Sequence, residues 1–91
     1  MDLTSLPGHE LILRGIADLG SGQETAEALL VSIGAPRLRR AGLRIPEVRV
    51  ENPEHRLYEL LARHDEDSAH AKYNALVRQL VSFERAAECA A

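Results

Sequence analysis

Apolar residues near the C-terminus recur at Ala69, Tyr73, Leu76, Leu80, Phe83 and Ala87, a 4-3-4-3-4 spacing that an α-helix turns onto one face. Val77 and Val81 widen that stripe to one side, so this helix must touch more than one neighbour. A shorter stripe, Leu57, Leu60, Leu61 and His64, predicts a preceding helix over residues 53–64. Asn52 suits its cap, and Pro53 suits the first helical position, where no N–H is needed. The polar run from His64 to Ser68 separates the two helices, with Asp67 the expected cap of the second. So short a turn makes them an antiparallel hairpin.

In the N-terminal half, Leu11, Ile12, Ile16 and Leu19 repeat at helical spacing over residues 8–19 until Gly20-Ser21-Gly22 stops them. Gly15 inside this helix lowers its intrinsic stability by about 1 kcal/mol relative to Ala, unless it marks a close crossing by another backbone. Ser21 followed by Glu24 has the form of a capping box, which predicts a second helix with Ala26, Leu29, Leu30 and Ile33 inward. Gly34 then supplies a left-handed stop, and Pro36 opens a short third helix, about 36–41, ended by Gly42. Residues 43–51, LRIPEVRVE, lose the helical period. They read as extended chain crossing the surface, with Leu43, Ile45 and either Val48 or Val50 pointing inward.

The expected fold is therefore all-α: one domain over residues 1–91, a compact bundle of four to five short helices with a C-terminal antiparallel helical hairpin. Composition agrees. Apolar residues make up 45% of the chain but aromatics only 3%, so burial rests on Leu, Ile, Val and Ala, which suits closely packed helices. At 91 residues the chain buries only slightly more than about 60% of its unfolded surface, which limits it to one modest core. The longest uncharged apolar run, 28–33, is far short of the roughly 20 residues that span a bilayer, and the N-terminus lacks a basic opening and an apolar core. The lone Cys89 has no partner for an internal bridge. Together these predict a soluble, cytoplasmic protein without membrane association.

Charge changes the picture at one place. Residues 36–49 carry Arg37, Arg39, Arg40, Arg44 and Arg49 against Glu47, a net +4, whereas residues 1–35 carry −4 and residues 50–91 carry −3. Following the pattern 25–33, Gly34, 36–41, this cluster invites comparison with a helix-turn-helix reader. There Arg37, Arg39, Arg40 and Arg44 would contact phosphates or a guanine edge. Two facts oppose it: the second helix would have about six residues, and the whole chain is −3, where nucleic-acid domains carry a pI above about 9. A solvated or salt-bridged surface, with partners among Glu24, Glu27, Glu47 and Glu51, accounts for the arginines more simply.

Other groupings carry less chemistry. His64, Asp65, Glu66, Asp67 and His70 offer oxygen and imidazole donors, but carboxylates before a helix and a histidine after one are what the helix dipoles favour, and no zinc spacing is present. His9-Glu10 and Glu54-His55 are adjacent and point to different helix faces. The serines lack a G-x-S-x-G elbow, and Gly20-Ser21-Gly22 lacks the lysine of a phosphate loop. Neither a catalytic centre nor a cofactor nor a small-molecule substrate is expected. Tyr58, off the Leu57–Leu61 stripe, together with Tyr73, Val77 and Val81, instead predicts surplus apolar surface that a homodimer or another protein would cover. The resulting expectation is a non-enzymatic interaction module that self-associates through its last two helices, with an arginine-based nucleic-acid regulator as the alternative.

Overall fold

The computed structural model describes residues 3–90, and every regular element among them is helical. A 3₁₀ turn at Leu3–Ser5 precedes α1 (His9–Gly20) and α2 (Ala26–Arg40). The extended stretch 43–50 leads to α3 (Pro53–His64), and a 3₁₀ turn at Glu66–Ser68 leads to α4 (Ala69–Ala90). No described helix is long and apolar enough to cross a membrane. The Cα radius of gyration is 12.6 Å, close to the ~12 Å of a well-packed chain of this length.

α2 is the hub. It is the one helix that packs broadly against all three others, and Ala28, Leu29, Leu30, Val31, Gly34, Ala35 and Leu38 are all buried along it. A helix apolar on so many sides must be surrounded. Its partners supply Ile12 and Leu19 from α1, Leu57 and Leu61 from α3, and Leu80, Phe83 and Ala87 from α4. Leu43 and Ile45 close the core from the extended stretch, with Val50 half-buried and Val48 45% exposed.

The ends of α1 and α2 share one device. Gly22 (φ 76°) and Gly42 (φ 102°) adopt the left-handed conformation just past each helix. From Gly22 the chain turns so that Gln23 N–H donates to Asp18 O at 2.9 Å, and past Gly42 Leu43 N–H donates to Leu38 O at 3.1 Å. Ser21 therefore finishes α1, its hydroxyl donating to Ala17 O at 2.7 Å, and the expected capping box does not form. Thr25 caps α2 instead: Oγ1 accepts from Ala28 N–H at 3.2 Å and donates to Asp18 Oδ2 at 2.7 Å, tying the two helices together.

The expected break at Gly34 and the short third helix are also absent, because α2 runs on through Gly34 and Pro36. Pro36 lacks the N–H that Ser32 O would accept, a defect of about 3 kcal/mol in an isolated helix. Burial of Ala35 and Leu38 on the far side holds the helix together. Gly34 serves packing: a Cβ there would lie 2.7 Å from Leu80 Cδ1 and 2.9 Å from Glu84 Oε2. Four α-helices result. α3 keeps its expected bounds, but Asn52 opens it in a left-handed conformation (φ 49°) without a side-chain cap bond, and His64 is exposed rather than part of the buried stripe.

Gly15 marks the close crossing of α1 and α2. A Cβ on it would run into the Glu27 carbonyl and lie 2.5 Å from Val31 Cγ2. Helix propensity alone would make Gly15→Ala stabilising by about 1 kcal/mol, but overpacking costs about 1–3 kcal/mol and more where the obstacle is backbone. Clash wins. We expect Gly15→Ala to lower the urea midpoint without changing the slope of the transition; an unchanged or higher midpoint would contradict the close approach.

Candidate functional site

The last turns of α2 fan its arginines outward, since Arg37 and Arg39 point about 200° apart around the axis. Arg37 faces α4. Its Nε and Nη2 donate to Glu88 Oε2 and Oε1, each at 2.8 Å, and its Nη1 donates to Glu84 Oε1 at 3.4 Å. The two-point contact with Glu88 matches the planar guanidinium to the planar carboxylate. Arg39 faces the other way, and its Nη2 donates to Pro46 O at 3.1 Å and Ile45 O at 3.4 Å, holding the extended stretch against α2.

Arg40 and Arg44 are exposed and make no ion pair among the described residues. Arg40 lies close enough to lower the Glu88 pKa by its field. Arg44 edges a shallow groove of about 440 Å³ lined by Leu3, Leu13, Ile16 and Leu43. The arginine partners differ from those expected. Glu84 and Glu88 take Arg37, Glu24 pairs with Arg56 at 3.5 Å, and Glu27, Glu47 and Glu51 form no ion pair with any described residue. The two-helix pattern behind the nucleic-acid comparison is one continuous helix.

Glu84 is the acid that sequence reasoning missed. It is 4% exposed, four residues after Leu80 and three before Ala87, on the buried side of α4. One signal pointed to it: Gly34 and Arg37 are one turn apart on α2, as Glu84 and Glu88 are on α4, so a small residue and a cation on one helix match two acids on the other. Burial raises the Glu84 pKa above the usual carboxylate range, with Arg37 opposing the shift and Glu88 adding to it. Glu88 moves the opposite way, lowered chiefly by the hydrogen bond from Arg37.

On the α3–α4 side, Tyr58 is 39% exposed. Its ring lies 5.9 Å, centre to centre, from that of the half-buried Tyr73, with the planes tilted by 58°. Val77 and Val81 are half-buried at the next two turns of the same row of α4. Between the helices, Asp65 rather than Asp67 organises the turn: its Oδ1 accepts from Asp67 N–H at 3.2 Å, and hydrogen bonding from Ser68 leads the causes that lower its pKa. His70 Nε2 lies 3.1 Å from Asn74 Nδ2. Among the described residues no three His, Cys, Asp or Glu side chains converge as metal ligands would.

The signs of the two glutamate shifts give a test. A carboxyl with a raised folded-state pKa favours folding at low pH and loses that contribution as pH rises through the folded value. Glu84→Gln should therefore gain on the wild type at pH 7, and its advantage should shrink as pH falls towards 4; urea titrations of both proteins that show the advantage growing on acidification would contradict the assignment. Glu88, with a lowered pKa, contributes above its unfolded value and loses that contribution as pH falls through the folded one, so Glu88→Gln should behave in the opposite sense. Removing the cation by Arg37→Ala leaves a buried acid unpaired, which should lower the urea midpoint at pH 7; an unchanged midpoint would contradict the pairing.

No protein-family model, no curated protein and no solved structure matches this chain.

Proposed function

We propose that this chain is a small, cytoplasmic, non-enzymatic interaction module that associates with a second copy of itself through the apolar face of α3 and α4, paired as an antiparallel hairpin. The observation that carries the reading is the Tyr58–Tyr73 ring pair, which lies partly open to solvent at the head of the row Tyr73–Val77–Val81. Aromatic rings with one face free supply large contact area for little lost side-chain entropy, and tyrosine is enriched where proteins meet. A two-fold dimer is the commonest arrangement that covers such a face with its own copy. Cys89 is the only cysteine, so the fold makes no demand for an oxidising compartment.

A nucleic-acid regulator is the weaker reading. Arg37 and Arg39 are engaged inside the protein, which leaves Arg40, Arg44 and Arg49 to meet a phosphate backbone from a chain of net charge −3.

Self-association is measured by sedimentation equilibrium over a micromolar concentration series. The wild type should approach twice the monomer mass of 10.0 kDa. Tyr58→Glu with Val81→Glu should weaken the dimer by about a hundred-fold, the loss of two central contacts, while circular dichroism keeps its helical form. A wild type that stays monomeric across the series, or a dimer indifferent to both substitutions, would sink the proposal.

A further inference from the structure

We infer that the cleft between α2 and the segment Val48–Val50 binds a small aliphatic monocarboxylate, its carboxylate on Arg49 and its hydrocarbon tail between Leu29 and Val50. This goes beyond the α3–α4 contact and does not rest on it. Space, wall chemistry and charge each bear on the choice of ligand.

The space consists of two adjoining cavities of about 180 and 210 Å³ under the segment, and Leu19, Ser32, Val48, Arg49 and Val50 line both. On the α2 side the Ser32 hydroxyl turns back to donate to Ala28 O at 3.1 Å, so it adds little bulk towards the segment. On the other side Val48 is exposed and Val50 half-buried. The backbone groups of Arg49 and Val50 have no hydrogen-bond partner among the described residues. This roof therefore rests on side-chain packing between Pro46, whose carbonyl Arg39 holds, and Asn52, where α3 begins. Backbone without hydrogen bonds to its neighbours is the part that lifts most cheaply to admit a ligand.

The walls set the ligand's size and tail. Leu19, Leu29, Ala35, Val48 and Val50 supply apolar surface with no aromatic ring among them. Each cavity is smaller than the ~300 Å³ at which pockets for drug-sized ligands begin. A short hydrocarbon chain suits such a space, and a bulky or multiply polar molecule does not.

Charge sets the head group. Three guanidinium groups, those of Arg39, Arg49 and Arg56, border the two cavities, against the single carboxylate of Glu24. Arg56 already pairs with Glu24 at 3.5 Å, and Arg39 Nη2 is committed to the carbonyls of Ile45 and Pro46. Arg49 borders both cavities yet makes neither an ion pair nor a hydrogen bond to a described residue. One uncommitted guanidinium matches one planar carboxylate through two parallel N–H···O bonds. A cationic ligand would meet like charge there, and a neutral one would leave the guanidinium unanswered.

The test is a titration of the full chain with sodium octanoate, followed by the methyl and amide signals in NMR spectra. Saturable shifts are expected at Leu29, Val48 and Val50, with a Kd of about 1 mM for so small a ligand. Octan-1-ol, which keeps the tail and removes the charge, should bind about ten-fold more weakly, and Arg49→Gln should weaken octanoate by about the same factor. Arg44→Gln, on the separate groove beside Leu13 and Leu43, should leave the titration unchanged. Ser32→Leu should fill the cleft and abolish the shifts; the exposed Arg49 gives a second variant, with circular dichroism reporting the helical form of both. No saturable shift, shifts centred on the Leu13 groove, octan-1-ol binding as tightly as octanoate, or Arg44→Gln and Arg49→Gln behaving alike would each overturn the inference. The α3–α4 proposal is read separately, from the sedimentation masses without octanoate.

Discussion

How closely other helices can approach α2 decides most of this structure. Two glycines set that distance. Gly15 on α1 lets the Glu27 carbonyl and Val31 come where a side chain would stand, and Gly34 on α2 admits Leu80 and Glu84 of α4. In a core almost without aromatics, each ångström of separation between helices would open space that Leu, Val and Ala could not fill, and voids forfeit dispersion contacts outright. The close approach also has an electrostatic consequence. By bringing α4 against the backbone of α2, it removes Glu84 from water, and a carboxylate in that position needs the cation that Arg37 provides.

Arg37 is therefore best understood as part of the core boundary. It stands between one acid that burial makes reluctant to ionise and another that it stabilises as an anion. The two contributions run oppositely with pH, so on mild acidification they offset one another in part at the α2–α4 contact. Arg39 performs a comparable task on the other side of the helix with neutral acceptors. The arginine-rich end of α2 thus holds two separate parts of the chain, the end of α4 and the extended stretch, and within residues 36–49 Arg40, Arg44 and Arg49 are left facing solvent with neither an ion pair nor a hydrogen bond to a described residue.

What could be read from the residues was whatever depended on local periodicity. The stripe from Ala69 to Ala87, the bounds of α3, the stop at Gly42 and the inward Leu43 and Ile45 all emerged, because each follows from helix geometry or from a conformation that glycine adopts cheaply. Misreadings occurred where one residue type has two uses. Gly34 and Gly42 look alike in sequence, yet one ends a helix and the other is pressed between two. Ser21 and Thr25 both suit a cap, and the choice went to Thr25 because Asp18, on the preceding helix, accepts its hydroxyl proton. Pro36 marked a break only if local propensity decided, and burial of its neighbours overruled it. The internal partner of Arg37 was hidden for a different reason: the spacing from Leu80 puts Glu84 on the inward stripe of α4, but nothing short-range says that Arg37 lies across from it.

That division between local and long-range signals bears on where association can occur. The faces that enclose α2 are committed, and a substitution there changes the fold before it changes any partner. One region escapes this: the row running from Tyr58 and Tyr73 to Val81. It combines partial exposure with a backbone held by the α3–α4 packing. A surface already held in shape loses little freedom on docking, so even a small contact area there converts efficiently into affinity. In a chain with so modest a core, apolar residues left exposed at rigid positions are ones through which association would add stability to the fold.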